Sequence, residues 1–148
     1  MAIHFYQINE AYGCFSNFSK HPILIEGVQW PTSEHYFQAM KFPTEPDRQE
    51  RIRQDSSPSK AKKIAWEPSS KMRPDWDTYR DEVMLKVIRE KFQQHPNLKK
   101  ILLSTEKEIL VEHTKKDSYW GDGGDGSGKN KLGQTLMQVR EELRKTLS

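Results

Sequence analysis

Glu34, Gln38 and Lys41 stand at i, i+4 and i+7 of the stretch WPTSEHYFQAMKF, residues 30–42, with His35 next to the first of them. A helix places such positions on one face. A carboxyl group and an amine on a common face are the residue types that proton transfer and nucleophilic chemistry use. Tyr36, Phe37 and Met40 fall on a different arc, which suits packing against a core. Periodicity alone leaves two readings open: the wet side of an amphipathic helix, or the polar lining of a site.

The second unusual stretch is SYWGDGGDGSGKNKLG, where Gly121, Gly123, Gly124, Gly126, Gly128 and Gly133 lie within thirteen positions. Ordering glycine costs entropy, so this density reads either as a flexible surface connection or as a loop whose exposed N–H groups cradle a phosphate or sugar before a helix start. Residues 123–130, GGDGSGKN, nearly spell a nucleotide-binding P-loop, but Asn130 stands where the magnesium-holding hydroxyl belongs, so an NTPase is not the expectation. Asp122 and Asp125 lack the spacing and the terminal Glu of a calcium loop. Trp120 opens the glycine stretch, where a flat ring can meet a sugar or base, and Asp117 precedes it by three residues and can face the same pocket. Asn17, in Phe15-Ser16-Asn17-Phe18, reads equally as a turn brace or a substrate ligand. His4, His21, His95 and His113 stand alone, and His35 diverges from Glu34, so structural histidines are expected and no metal site.

The elements that must position these residues follow from period and punctuation. IHFYQI and PILIEGVQW read as short strands, the second turning at Glu26-Gly27. A helix capped by Thr32 or Ser33 is expected to run until Pro43, and a short one from Glu45 to Gln54. Ser57 caps a third, with Pro58 at its first position, ending before Pro68. The long apolar period of residues 75–95 predicts a helix closed by Pro96, followed by a shorter one over 96–105. EILVEHT reads as a strand and residues 132–147 as an amphipathic closing helix. The sum is a helix-rich α+β fold with a few short strands, expected as one domain over residues 1–148.

Composition narrows the function. The chain has 148 residues, a net charge of +3 and basic and acidic residues interleaved along the helices, which describes solvated faces better than a duplex-binding surface. Cys14 is the single cysteine, which excludes an internal disulfide and a thiolate cluster. No apolar run is long enough to span a membrane, and the start lacks a basic segment followed by an apolar one; a cytoplasmic protein is the expectation.

Taken together, FSNF at 15–18, WPTSEHYFQAMKF at 30–42, MRPDWD at 72–77, KF at 91–92, residues 110–133 and LMQVREEL resemble the NADAR, or YbiA-like, family nearly from end to end and in order. The resemblance implies a YbiA-like fold and an N-glycosidase. The family's substrates are early riboflavin-pathway phosphoribosylamino-pyrimidines, and guanine carrying ADP-ribose on its exocyclic amine, in nucleosides or nucleic acid. Both join an amino-oxopyrimidine ring to ribose C1 through an exocyclic nitrogen. Cleaving that bond needs a proton for the leaving amine and stabilisation of charge at C1. On this reading Glu34 donates the proton or activates water. Lys41 either attacks C1 of the ring-opened sugar as a Schiff-base amine or holds phosphate, with Asp117 as second carboxylate in the latter case. Trp120 is assigned to stacking, the backbone of Gly121, Gly123 and Gly128 to phosphate, and Asn17, Gln38 and Asn130 to ribose or base. No metal or redox cofactor is required. The partner is a nucleotide-like small molecule or ADP-ribosylated nucleic acid, and no membrane is involved. The rival function is a non-catalytic ADP-ribose or nucleotide-binding module, which needs the loop and Trp120 but not Glu34 and Lys41 together.

Overall fold

The computed structural model describes residues 2–146, so the Leu147 end of the expected closing helix lies outside the described residues. Among the described residues, six α-helices and four short strands in two two-stranded sheets make the helix-rich α+β class expected from sequence. Packing divides the chain into two compact units: Lys20–Lys91, and the residues up to Ser19 together with those from Phe92 onward. No described helix is long and apolar enough to cross a membrane.

Within Lys20–Lys91 the chain forms a hairpin of β2 (Ile23–Ile25) and β3 (Val28–Trp30). Glu26 and Gly27, at φ 53° and 81°, are both left-handed, the geometry of a two-residue turn whose twist matches the strands it joins. Alternation sends Ile23 and Ile25 inward and leaves Leu24 exposed. Thr32 then caps α1 (Ser33–Ala39), its hydroxyl oxygen accepting the His35 N–H at 3.3 Å. The helix ends earlier than the sequence predicts. Lys41 N–H reaches Gln38 O and Phe42 N–H reaches Ala39 O, three residues back, so the chain tightens into a turn. Pro43 disfavours helical geometry at the residue before it, which accounts for the early stop.

Helices α2 (Pro46–Gln54) and α3 (Pro58–Ala65) follow, each with proline at its first position, and both pack on α1. Arg48 of α2 joins them by donating to the carbonyls of Ile64, Glu67 and Pro68 at and beyond the end of α3. The long helix α4 (Trp76–Gln94) buries Trp76, Val83, Met84, Val87 and Ile88 at helical spacing.

The other unit pairs β1 (Ala2–Phe5) in parallel with β4 (Ile109–Glu112), Ile3 opposite Leu110. Helices α5 (Pro96–Ser104) and α6 (Lys131–Lys145) complete it. Arg140, buried on α6, donates to Thr105 Oγ1 at 2.9 Å and Glu108 O at 2.8 Å, tying the helix to the α5–β4 link. Contact between α6 and β4 is so close that a Cβ at Gly133 would lie 2.0 Å from Leu110 O. The strand backbone on one side and the Asn130 amide, itself bonded to that strand, on the other leave little room to yield. Gly133→Ala is therefore expected to lower stability by roughly 1–3 kcal/mol, the range of overpacked sites, read as a shift of the denaturant midpoint without a change of slope.

Candidate active site

Helix α1 has no wet side: every residue from Ser33 to Ala39 is buried. Glu34 and Gln38 are only 8% and 3% exposed, which removes the solvated-face reading of the stripe. The two side chains meet as their spacing predicts, Gln38 Nε2 donating to Glu34 Oε2 at 2.6 Å. Gln38 Oε1 is buried with no hydrogen-bond partner among the described residues. An acceptor desolvated in this way costs about 1–3 kcal/mol unless something donates to it, so the site has a place for a donor beside the carboxyl group.

Lys41 joins these two by another route than the one the sequence predicts. It lies beyond the end of α1, in the turn, and its carbonyl accepts the Arg73 N–H at 2.8 Å. Its ammonium stands over the Trp76 ring, 5.9 Å from the centroid. Burial lowers the Lys41 pKa below its ordinary value; Glu34 opposes that, while Lys62 and Arg80 add to it. A half-buried amine that gives up its proton more readily is the form a nucleophilic lysine needs.

His35 is structural, as expected. A carbonyl can only accept, so Nε2–H donates to Asp55 O at 2.6 Å, and the Thr32 hydroxyl donates to Nδ1 at 2.7 Å. Burial lowers its pKa, more than the Asp55 carbonyl and charge raise it.

The glycine-rich loop, in the other unit, is bonded to itself. Asp117 Oδ1 accepts the N–H groups of Tyr119 and Trp120 at 2.9 and 2.8 Å. Gly123 N–H donates to Asp117 O, Gly124 N–H to Asp122 Oδ1, and Gly128 N–H to Asp122 O. These donors, expected to hold phosphate, are committed inside the loop. The glycine at 128 answers to packing instead, since a Cβ there would lie 2.5 Å from the carbonyl oxygen of Gly121. Gly121 is buried against Thr114 and the carbonyls of Glu112 and Asp117. Asn130 is likewise occupied. Its Oδ1 accepts the Glu112 N–H at 3.0 Å and its Nδ2 donates to Leu110 O at 2.9 Å. In left-handed conformation at φ 54°, it fastens the start of α6 to β4 rather than facing a ribose. Trp120 is half-buried, with the Tyr119 ring edge-on at 4.9 Å. Asn17 is buried in the turn after the short 3-10 segment Gly13–Phe15, in the same unit as this loop.

One pair escaped the sequence reading. His113, taken as a lone imidazole, donates from Nδ1 to Asp122 Oδ2 at 2.8 Å. Burial acts to raise the Asp122 pKa, but hydrogen bonds from His113, Gly124 and Thr114 hold it below its ordinary value. Nine residues separate the two, and no helical or strand period links them. The glycines that fold the loop back were the only available signal.

The chain belongs to the NADAR family, whose domain matches residues 4–144. Among its relatives, the N-glycosidase YbiA of Escherichia coli strain K12 is 50% identical over 95% of this chain and 88% of its own length. A riboflavin biosynthesis protein of Vibrio vulnificus is 44% identical over 95% of this chain and 38% of that longer protein. The solution structure of E. coli YbiA superposes with a TM-score of 0.89 at 49% identity, covering 97% of this chain and 84% of that one.

The His35 relay makes stability depend on pH. Because burial depresses its pKa below the ordinary 6.5, the unfolded chain takes up a proton at a pH where the folded chain does not. The contribution of His35 is complete above the unfolded value and is lost as pH falls toward the folded one. Unfolding free energies measured at pH 7.5 and 5.5 should differ by a His35 contribution with a slope of at most about 1.4 kcal/mol per pH unit. That contribution should be missing from His35→Gln.

Proposed function

We propose that this chain is a cytosolic N-glycosidase that hydrolyses the bond between ribose C1 and an exocyclic amino nitrogen of an amino-oxopyrimidine or guanine ring. The observation that carries the reading is the corner made by Glu34, Gln38 and Lys41. There a buried carboxyl group lies beside an amide oxygen lacking a donor, near an amine whose proton is loosened by burial. That the E. coli relative is an N-glycosidase and the Vibrio relative a riboflavin biosynthesis protein supports an N-glycosyl bond as the target.

The chemistry follows from the groups. When the ribosylamine ring opens, the C1–O4 bond breaks, O4 takes a proton and C1 becomes an imine carbon. Neutral Lys41 adds to C1, Glu34 protonates the exocyclic nitrogen, and the free base leaves as its amine. Water then adds to the lysine imine, giving up a proton to the Glu34 carboxylate, and expels the sugar as its aldehyde with Lys41 restored. Gln38 Nε2 keeps the carboxyl group oriented, while Oε1 accepts an N–H of the base or a hydroxyl of the ribose. Trp120 and Asn17, expected from sequence to touch the substrate, belong to the other compact unit and carry no step here. Asp117, with one oxygen bound to the loop backbone, belongs to the other compact unit and likewise carries no step here. Candidate substrates are phosphoribosylamino-pyrimidines of the riboflavin route and ADP-ribosylated guanine, free or in nucleic acid.

Turnover of both substrate types, followed by mass spectrometry, tests this. Glu34→Gln is expected to lose about 10²–10⁴-fold in rate, the usual weight of general acid catalysis. Borohydride added during turnover should leave a sugar adduct on Lys41, and Lys41→Arg should be inactive and unlabelled. Full activity in Glu34→Gln removes Glu34 from proton transfer, and an active Lys41→Arg with no wild-type adduct ends the Schiff-base route. ADP-ribose bound without any cleavage would return the chain to the class of binding modules.

A further inference from the structure

The Gln38 amide is satisfied at one end only. Its Nε2 donates to Glu34 Oε2 at 2.6 Å, while Oε1 is buried without a partner among the described residues. Turning the amide round would set its oxygen against a carboxylate oxygen at that distance, so the ionised carboxyl group fixes which end is left over. Both side chains rise from a wholly buried helix, one turn apart. Burial and the shared bond hold the amide in place before any ligand arrives, so the reaction bears no cost for ordering it.

An atom that takes a proton from Glu34 and gives a hydrogen to Gln38 Oε1 closes a ring of three hydrogen bonds: carboxyl group to leaving atom, leaving atom to amide oxygen, amide N–H back to carboxyl group. Such an atom must carry a hydrogen of its own besides the one it receives. An exocyclic ribosylamine nitrogen about to depart from C1 does carry one. The ring nitrogen of an ordinary nucleoside does not, and neither does a glycosidic oxygen. As the proton moves, two sides of the ring strengthen together. Glu34 becomes a carboxylate and a better acceptor for Nε2–H, while the nitrogen gains positive charge and becomes a better donor to Oε1. Interactions that tighten only as the proton moves lower the barrier instead of holding the ground state. A ribose hydroxyl on Oε1 would satisfy the amide but gain nothing in that step. We propose that Gln38 restricts cleavage to glycosyl bonds whose nitrogen carries a hydrogen, by holding that N–H on Oε1 as the nitrogen leaves. This rests on the glycosidase reading and deepens it. The same amide spares the ring-nitrogen bonds of free nucleotides, and those that an ADP-ribosylated guanosine also contains.

Paired substrates test it: a phosphoribosylamino-pyrimidine and its counterpart methylated on the exocyclic nitrogen, each followed by mass spectrometry in wild type, Gln38→Met and Gln38→Ala. Wild type is expected to cleave the N–H substrate faster by roughly ten- to a hundredfold, the weight of a hydrogen bond to a charged group. Both variants should lose about that factor in kcat on the N–H substrate, with KM little changed. They should cleave the two substrates at similar rates, the alanine variant also leaving room for the methyl group. The comparison is a ratio within each variant, so a loss of folded protein cancels. From ADP-ribosylated guanosine, wild type should release guanosine and no free guanine. A methyl penalty of equal size in wild type and both variants overturns the proposal, as does a loss confined to KM or the release of free guanine. If wild type cleaves the paired substrates alike, this inference falls and the glycosidase reading stands. If it cleaves neither of them, nor ADP-ribosylated guanosine, the glycosidase reading itself falls.

Discussion

The hydrogen-bond relay from Thr32 through His35 to the Asp55 carbonyl is what the Lys20–Lys91 unit turns on. Helix α1 is seven residues long and wholly buried, although Ser33, Glu34, His35 and Gln38 are polar. Too short to be stable alone, it depends on packing and on its caps. The relay provides both. Thr32 closes the first turn through its oxygen and holds the imidazole through its proton, and the imidazole fastens α1 to the link between α2 and α3. With the helix held at that angle, Gln38 and Glu34 can meet in the dry interior, where a hydrogen bond to a carboxylate is stronger and an unmade one costs more.

Much of this was legible in the sequence because it is local. The hairpin turn at Glu26-Gly27, the caps at Thr32 and Ser57 and the proline starts of α3 and α5 depend on a few adjacent residues, and they appear where expected. The period of α4 was legible for the same reason. Burial of the polar stripe was not, since periodicity reports that Glu34 and Gln38 share a face but not what covers it. The position of Lys41 was misread because Pro43 ends the helix two residues before that amine. The turn nevertheless keeps the amine near Glu34, so the grouping survived although its helical reason did not.

The glycine loop shows the opposite failure. Glycine density signalled that backbone comes close to something, and the structure shows that the something is the loop itself. Asp117 and Asp122 act as internal anions, collecting N–H groups that a phosphate would otherwise collect. A carboxylate and a bound phosphate present the same acceptors to a backbone, so sequence cannot tell the two uses apart. Asn130 makes the same point from a side chain. Its amide reads as a substrate ligand until β4, twenty residues away in the chain, takes both of its ends.

The Glu34–Lys41 corner has a consistency that neither residue has alone. Glu34 as carboxylate is the influence that holds the proton on Lys41 against burial, Lys62 and Arg80. A proton placed on Glu34 removes that hold and frees the amine. The acid form of one residue and the nucleophilic form of the other are therefore the pair of states that favour each other.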